Sequence, residues 1–425
     1  MLNIRSIDVV NAARADGLGV KPLYDSYSFL NIPTLISALL TGEGHTLMPE
    51  DVLGDLPRRY RAVLALWIDA MGWHVVEPLL DRHPFLRRAV AQGVVSKITS
   101  LFPSTTSAHI AGFFTGLPPA QSGVYEWFQY EPKLGRIIAP LLFSYAGEKE
   151  RDTLTKENFH PLDLFPAQSV WLPLVMSGAK IYVLQPSNFA RSAPSKALGQ
   201  LATAHGYSTF AEGLVRAYRL IESHSPSDAP PALIWMYYGD YDGVCHDYGP
   251  NALEATAELE HTLDALENVL IRLAQGSEAL LLVFADHGQI RVDAKTTIYL
   301  NQVVPDFARY VAQGRKGHLL VPAGSPRDFF LHVKPELLDE AQAVFAEATK
   351  GRARVLKTES LIEQGFFGAN PTETFLARVG NLVVLPEPGE TVYYYEKDRF
   401  EQKYYGHHGG LTPEEIEVPL IAMQL

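Results

Sequence analysis

Three apolar runs, far apart in the chain and each followed at once by acidic residues, constrain the fold more than any other feature. Residues 61–68 read RAVLALWI and lead into Asp69. Residues 231–238 read PALIWMYY and lead into G-D-Y-D-G-V-C-H, which holds Asp242 and His246. Residues 279–285 read ALLLVFA and lead into Asp286 and His287. Unbroken apolar runs of this length fit strands buried on both faces of a parallel sheet. The predicted fold class is α/β, with a mostly parallel central sheet sandwiched between helices. In such sheets ligands collect at the carboxyl ends of the strands.

Taken singly, each Asp has an ordinary explanation as a helix cap or turn former, and a lone D-H-G is a weak signal. The joint pattern is stronger. With His408 in H-H-G-G near the C-terminus, three Asp and three His would converge at one sheet edge. Buried unpaired carboxylates are costly, and metal cations are their natural partners. Mixed imidazole and carboxylate donors suit zinc or another first-row divalent ion such as manganese. Six donors exceed what one tetrahedral ion with an open position needs. They suit two ions about 4 Å apart, clamping a phosphoryl group.

A hydroxyl-rich stretch, F-P-S-T-T-S-A-H at 102–109, follows an apolar strand-like run (Val94, Val95, Ile98) and precedes a small apolar helix, 110–114. A Ser or Thr before a helix is commonly an N-cap. The same geometry favours an alkoxide or bound phosphate, because the helix start offers free N–H groups and partial positive charge. The stretch by itself leaves both readings open.

Elsewhere the chemistry is sparser. Residues 1–60 read as an irregular lead-in with one helix-like run at 34–40. Between 123 and 200 periodicity is weak and aromatics are dense: Tyr125, Trp127, Phe128 and Tyr130 form either a patch under a loop or a platform that stacks an aromatic group of the substrate. Tyr182–Leu184 and 207–210 are short edge strands or connectors. Residues 210–222 form a helix, as do 253–273, with Leu259, Leu263, Leu266 and Leu270 on one face. Residues 295–380 carry strands and helices of their own and form a small α+β insertion, a cap over the site; 381–386 return to the main sheet. The catalytic α/β domain is then 1–294 with 381–425.

A net charge of −12 argues against a nucleic-acid polymer or an anionic membrane as the main partner. The single cysteine, Cys245, excludes internal disulfides. No window has the length and apolarity of a signal peptide or membrane span, so the expected location is cytoplasmic.

The order Asp69, F-P-S-T-T with T-G-L-P-P, D-Y-D-G-V-C-H with G-P, A-D-H-G, then H-G-G resembles the alkaline phosphatase superfamily, and within it the type I phosphodiesterase and nucleotide pyrophosphatase family. The resemblance runs from about residue 60 to the end. It implies that Asp242, His246 and His408 hold one divalent ion, zinc by family expectation, and that Asp69, Asp286 and His287 hold a second, which also binds the nucleophile Thr106. Three residues on, many members of the family have an Asn that contacts a phosphate oxygen. This chain has His109 there, which could donate in the same way; the departure bears on the substrate more than on the reaction. The implied substrate is a small phosphorylated molecule, a nucleotide among the candidates, with Tyr125, Trp127 or Phe128 against its aromatic part. A phosphomonoesterase, a phosphonate hydrolase and a phosphomutase share the metal motifs. A sulfatase does not fit, since Cys245 lies in no C-x-P-x-R motif. A metal-binding protein without turnover is the reading from a different class, and it sits badly with a complete set of ligands and nucleophile.

Overall fold

The computed structural model describes residues 1–15 and 17–425. Seven strands make the central sheet: β1 (Ala62–Ile68), β2 (Gly93–Thr99), β3 (Lys180–Pro186), β4 (Thr203–Tyr207), β5 (Ala232–Tyr238), β6 (Leu280–Phe284) and β7 (Glu417–Gln424), in the order β2-β7-β6-β1-β5-β3-β4. β1 lies parallel between β5 and β6, and β3 parallel between β5 and β4. β7 runs antiparallel to both β6 and β2. β2 therefore points the same way as the other five.

The register decides where the chemistry goes. Ile68 is opposite Tyr238, and Phe284 is opposite Trp67. Asp69, the segment after Tyr238 and Asp286 thus leave the sheet at one edge, and the hydroxyl stretch after β2 leaves at the same edge. Every side chain of β1, β2 and β6 is buried, which is why these runs carry no alternation. Helices flank the sheet. Phe210–Ser223, capped by Thr209 through the Glu212 N–H, buries Phe210, Leu214, Ala217 and Ile221.

Two expectations need correction, and one segment without an expected element gains one. Residues 1–60 are not irregular. Asn3 caps a helix at Ile4–Ala12, and Phe29, Ile32, Leu35, Ile36 and Leu39 enter the main core from the lead-in and the helix Ile32–Thr41. The first helix is too short to announce itself by periodicity, so its cap was its main signal. The D-x-x-x-H segment, assigned no element from the sequence, is the helix Asp240–Tyr248, which sets Asp242 and His246 one turn apart on one face. Residues 381–386 do not rejoin the main sheet. Leu382–Pro386 is the middle strand of a separate antiparallel sheet, between Phe329–Leu331 and Ala353–Lys357. The strand that does return is β7. An apolar run tells burial but not which sheet provides it.

The small sheet and helix Leu338–Thr349 enclose a second hydrophobic core, which also takes in Phe102 and Tyr125. Among the described residues no helix is long and apolar enough to cross a membrane.

Candidate active site

Asp69 follows β1 directly. Its backbone N–H donates to Tyr238 O at 2.9 Å, and Tyr237 donates its phenol to Asp69 Oδ2. Ala70 then adopts φ 62°, a left-handed conformation unusual for alanine, and its N–H donates to Asp286 Oδ1 at 3.3 Å. The turn after β1 is thus shaped against the carboxylate after β6. Gly288, after His287, allows another close approach: a Cβ there would lie 2.1 Å from Glu414 O.

His287 donates Nδ1–H to Gly288 O at 3.1 Å, which leaves the lone pair of Nε2 facing the site. Nε2 lies 3.4 Å from Asp69 Oδ1, 3.2 Å from Asp286 Oδ2 and 3.2 Å from Thr106 Oγ1. Thr106 Oγ1 lies 3.3 Å from Asp69 Oδ2. All three ligand-type side chains are fully or almost fully buried, and Asp69 Oδ1 and Asp286 Oδ2 have no hydrogen-bond donor. Burial, together with the neighbouring Asp286 and Asp242 charges, pushes the Asp69 carboxyl well above its usual range. Burial pushes Asp286 up to about 7 and drives His287 down. Orphaned carboxylate oxygens beside an imidazole lone pair are a donor set that lacks only a cation.

A second donor set adjoins the first. Asp242 Oδ2 lies 3.5 Å from His246 Nε2, and Asp242 Oδ1 lies 3.9 Å from His408 Nε2. The His408 ring stacks on His287 with centroids 3.7 Å apart. His246 and His408 give their Nδ1–H groups to Gly406 O at 2.9 Å and Ser104 O at 2.8 Å, so both turn Nε2 inward. Gln289 donates to Asp242 Oδ1 at 2.6 Å. The donor atoms of Asp69, Asp286 and His287 fall within 4.8 Å of one another, as do those of Asp242, His287 and His408. His287 therefore stands between the two sets, and His246 reaches the second through Asp242.

The hydroxyl stretch resolves into separate tasks. Ser104 donates to Gly410 O and accepts from the Gly409 N–H, which ties it to the H-G-G loop. Thr105 sits at the N-cap position with its hydroxyl buried and unpaired. Thr106 opens the helix Thr106–Thr115 and is the hydroxyl that faces the carboxylates. His109 does not fit the phosphate contact expected of it. It is wholly buried, Nδ1–H donates to Thr105 O at 2.7 Å, and Nε2 accepts from the Leu101 N–H at 3.0 Å and from Ser100 Oγ at 2.9 Å. Burial drives its pKa down to about 3. It is a neutral staple that holds the 100–105 loop.

A cavity of about 260 Å³ opens beside Thr106 and Asp69, walled by Ile110, Phe114, Val183, Leu198 and Trp235. Of the three aromatic candidates only Trp127 lines it. Tyr125 is buried in the second core against Phe330, and Phe128 packs on Phe400. A run of aromatics in a short turn-rich segment cannot all face one way. Tyr237, Gln289 and Arg151, another cavity residue, were not singled out in the sequence. Tyr237 had a signal, as a polar-tipped residue at the end of a buried strand.

The family model of type I phosphodiesterase / nucleotide pyrophosphatase matches residues 63–411. The chain belongs to that family. It is a phosphoric ester hydrolase of the alkaline phosphatase superfamily, whose enzymes use divalent metals. The human ectonucleotide pyrophosphatase / phosphodiesterase 5 is similar in structure, with TM-score 0.62 and 17% identity over 85% of this chain and 87% of that one. The murine protein, in an inactive threonine-to-alanine form in complex with AMP, gives TM-score 0.61 and 18% identity over 85% and 87%. Phosphonoacetate hydrolase from Sinorhizobium meliloti, in complex with phosphonoformate, gives 0.58 and 19% over 86% and 92%. No curated protein matches the chain by sequence.

Proposed function

We propose that this hydrolase cleaves phosphodiester or nucleotide pyrophosphate bonds through a covalent intermediate on Thr106, at a site for two divalent ions. The observation that carries the reading is the one hydroxyl, Thr106 Oγ1, within 3.3 Å of both Asp69 and His287, where carboxylate oxygens are buried without donors. Asp69, Asp286 and His287 would hold one ion; Asp242, His246 and His408 would hold the other. The donor set suits zinc, with manganese as the alternative. When bound, the ions supply the positive charge that lowers the threonine pKa and neutralises phosphoryl oxygens.

Thr106 Oγ would attack phosphorus in line with the leaving oxygen. The Thr106 O–P bond forms as the hydroxyl gives up its proton, the P–O bond to the leaving group breaks, and the departing alcohol or phosphate takes up a proton. Water then forms the new P–O bond and releases Thr106. His109 keeps the loop before Thr106 fixed, and the helix start favours the developing alkoxide. Positioning and charge neutralisation carry most of the catalysis.

The test is kcat/KM on a bis-aryl phosphate diester beside an aryl phosphate monoester, for the wild type, Thr106→Ala and EDTA-treated protein with zinc or manganese restored. The expected outcome is diester turnover that falls by about 10³-fold or more in Thr106→Ala and returns with metal. Activity surviving in Thr106→Ala would sink the assignment. The likeness to phosphonoacetate hydrolase favours a second reading, cleavage of a carbon–phosphorus bond at the same site. Phosphate release from phosphonoacetate without diester turnover would select it.

A further inference from the structure

The cavity beside Thr106 contains a cation for which the reaction above gives no use. Among the described residues that line it, Arg151 is the one cation. Its guanidinium is half-buried, stands 5.0 Å above the Phe189 ring, and donates to a single acceptor, Leu141 O at 3.3 Å. Its chain neighbour Asp152 acts on it only through space, since Asp152 Oδ1 accepts from the Ala193 N–H. A guanidinium has five donors in a planar fork. Most of this one's donors are unused, and although Asp69, Asp240 and Asp242 line the same cavity, no ion pair joins Arg151 to any carboxylate among the described residues. A cation taken out of water without a partner is costly. The geometry therefore calls for an anion.

The cavity also limits what brings that anion. A dry apolar cavity of about 150 Å³ holds a benzene ring. The present one, about 260 Å³, holds one ring and a short substituent. Ile110, Phe114, Val183 and Trp235 offer such a ring apolar contact, and Gln185 stands in the same wall as a further polar group.

We propose that Arg151 selects substrates whose arm retained on phosphorus is short and apolar along its flanks and ends in an oxyanion, a carboxylate or a phosphate. The inference rests on the Thr106 hydrolase reading. It narrows the substrate class from any phosphoric ester to one that carries a second negative group about one ring away from the reacting phosphorus.

The experiment uses the metal-loaded enzyme and p-nitrophenyl esters of phenylphosphonate carrying hydrogen, carboxamide, carboxylate or phosphonate at the ring's 4-position. Hydrolysis transfers the phosphonyl group to Thr106 and releases nitrophenolate. The wild type is expected to favour the carboxylate or the phosphonate over the carboxamide by about tenfold or more in kcat/KM. In Arg151→Met that ratio falls to within twofold of one, and Arg151→Lys restores part of it. The preferred anion names the substrate class. Calorimetric binding of the corresponding free phosphonic acids gives the same ratios without turnover. Absence of anion preference in the wild type, or a preference that survives Arg151→Met, overturns the proposal. Hydrolysis of the unsubstituted ester without anion preference fails this inference alone. If no ester is hydrolysed, the hydrolase reading fails, and the binding ratios still decide the role of Arg151.

Discussion

Two pairs of buried carboxylates in this molecule start from the same electrostatic problem and have different surroundings. Asp69 and Asp286 form one pair, Glu126 and Asp328 the other; all four are fully or almost fully buried. In each pair one carboxylate's charge raises the pKa of the other, Asp286 on Asp69 and Glu126 on Asp328, and each member keeps an oxygen without a hydrogen-bond donor. Burial raises the pKa of all four. The first pair faces the Nε2 of His287, the hydroxyl of Thr106 and, through Asp69, an open cavity. The second has no imidazole within reach as a metal donor among the described residues. Its other partners are the backbone N–H of Trp127 for Glu126, and Ser325 for Asp328 through its N–H at 3.0 Å and hydroxyl. A buried acidic pair points to a metal only where neutral donors and an entry path accompany it. Where they do not, we infer that the pair shares a retained proton, which like-charge repulsion in a buried place favours.

The largest effect that separates the pairs is on activity. Asp286→Asn is expected to lower kcat/KM by about 10³-fold, and added zinc or manganese should not recover it. Glu126→Gln, which supplies an amide proton in place of the shared one, should stay within about threefold of wild type. Equal losses in the two variants, measured over a metal series, would abolish the distinction.

A smaller effect follows from what each pair holds. Glu126 accepts the Trp127 N–H, and the Trp127 ring lines the cavity. If the second pair acts only by placing that ring, Trp127→Ala should raise KM by about tenfold and leave kcat nearly unchanged. Phe128→Ala should do neither, because Phe128 packs on Phe400. A fall in kcat with KM constant in Trp127→Ala would bring the second pair into the chemistry.

These pairs also mark how far the sequence could be read. Asp69, Asp242 and Asp286 were visible because each follows a strand too apolar to be anything but buried, and strand ends in a parallel sheet share an edge. His408 was visible through its glycines. Glu126 and Asp328 lie 202 residues apart and on elements with no strong period, so nothing local connects them. The same is true of Arg327, which is buried against Glu415 at 2.9 Å and, through it, braces Gly410 in the H-G-G loop. His109 was misassigned for a related reason. A histidine one turn into a helix can face the site or the loop behind it, and only the tertiary positions of Leu101 and Ser100 decide. Arg151 lies among the 80 residues that fold between β2 and β3, most of them of weak periodicity, and a lone arginine there carries no signal.

The smallest effect is on stability, and its sign follows from protonation. Burial raises Glu126 to about 8, so the folded protein keeps a proton that the unfolded chain gives up above its ordinary carboxylate range. A carboxyl with a raised folded pKa contributes its stability at low pH. That contribution is lost as the pH climbs from the unfolded value through the folded one. With the proposed ion bound at Asp69, Asp286 and His287, the first pair would be held ionised and drop out of this slope. The Tm of the wild type should therefore fall between pH 6.5 and pH 8.5, and Glu126→Gln should flatten the fall by on the order of 1–2 °C. Asp328 remains in the variant, now without the Glu126 charge that raises its pKa, so it ionises more readily. An identical slope in wild type and Glu126→Gln would mean that no proton is shared between Glu126 and Asp328, and that the two pairs are not the same problem solved in two ways.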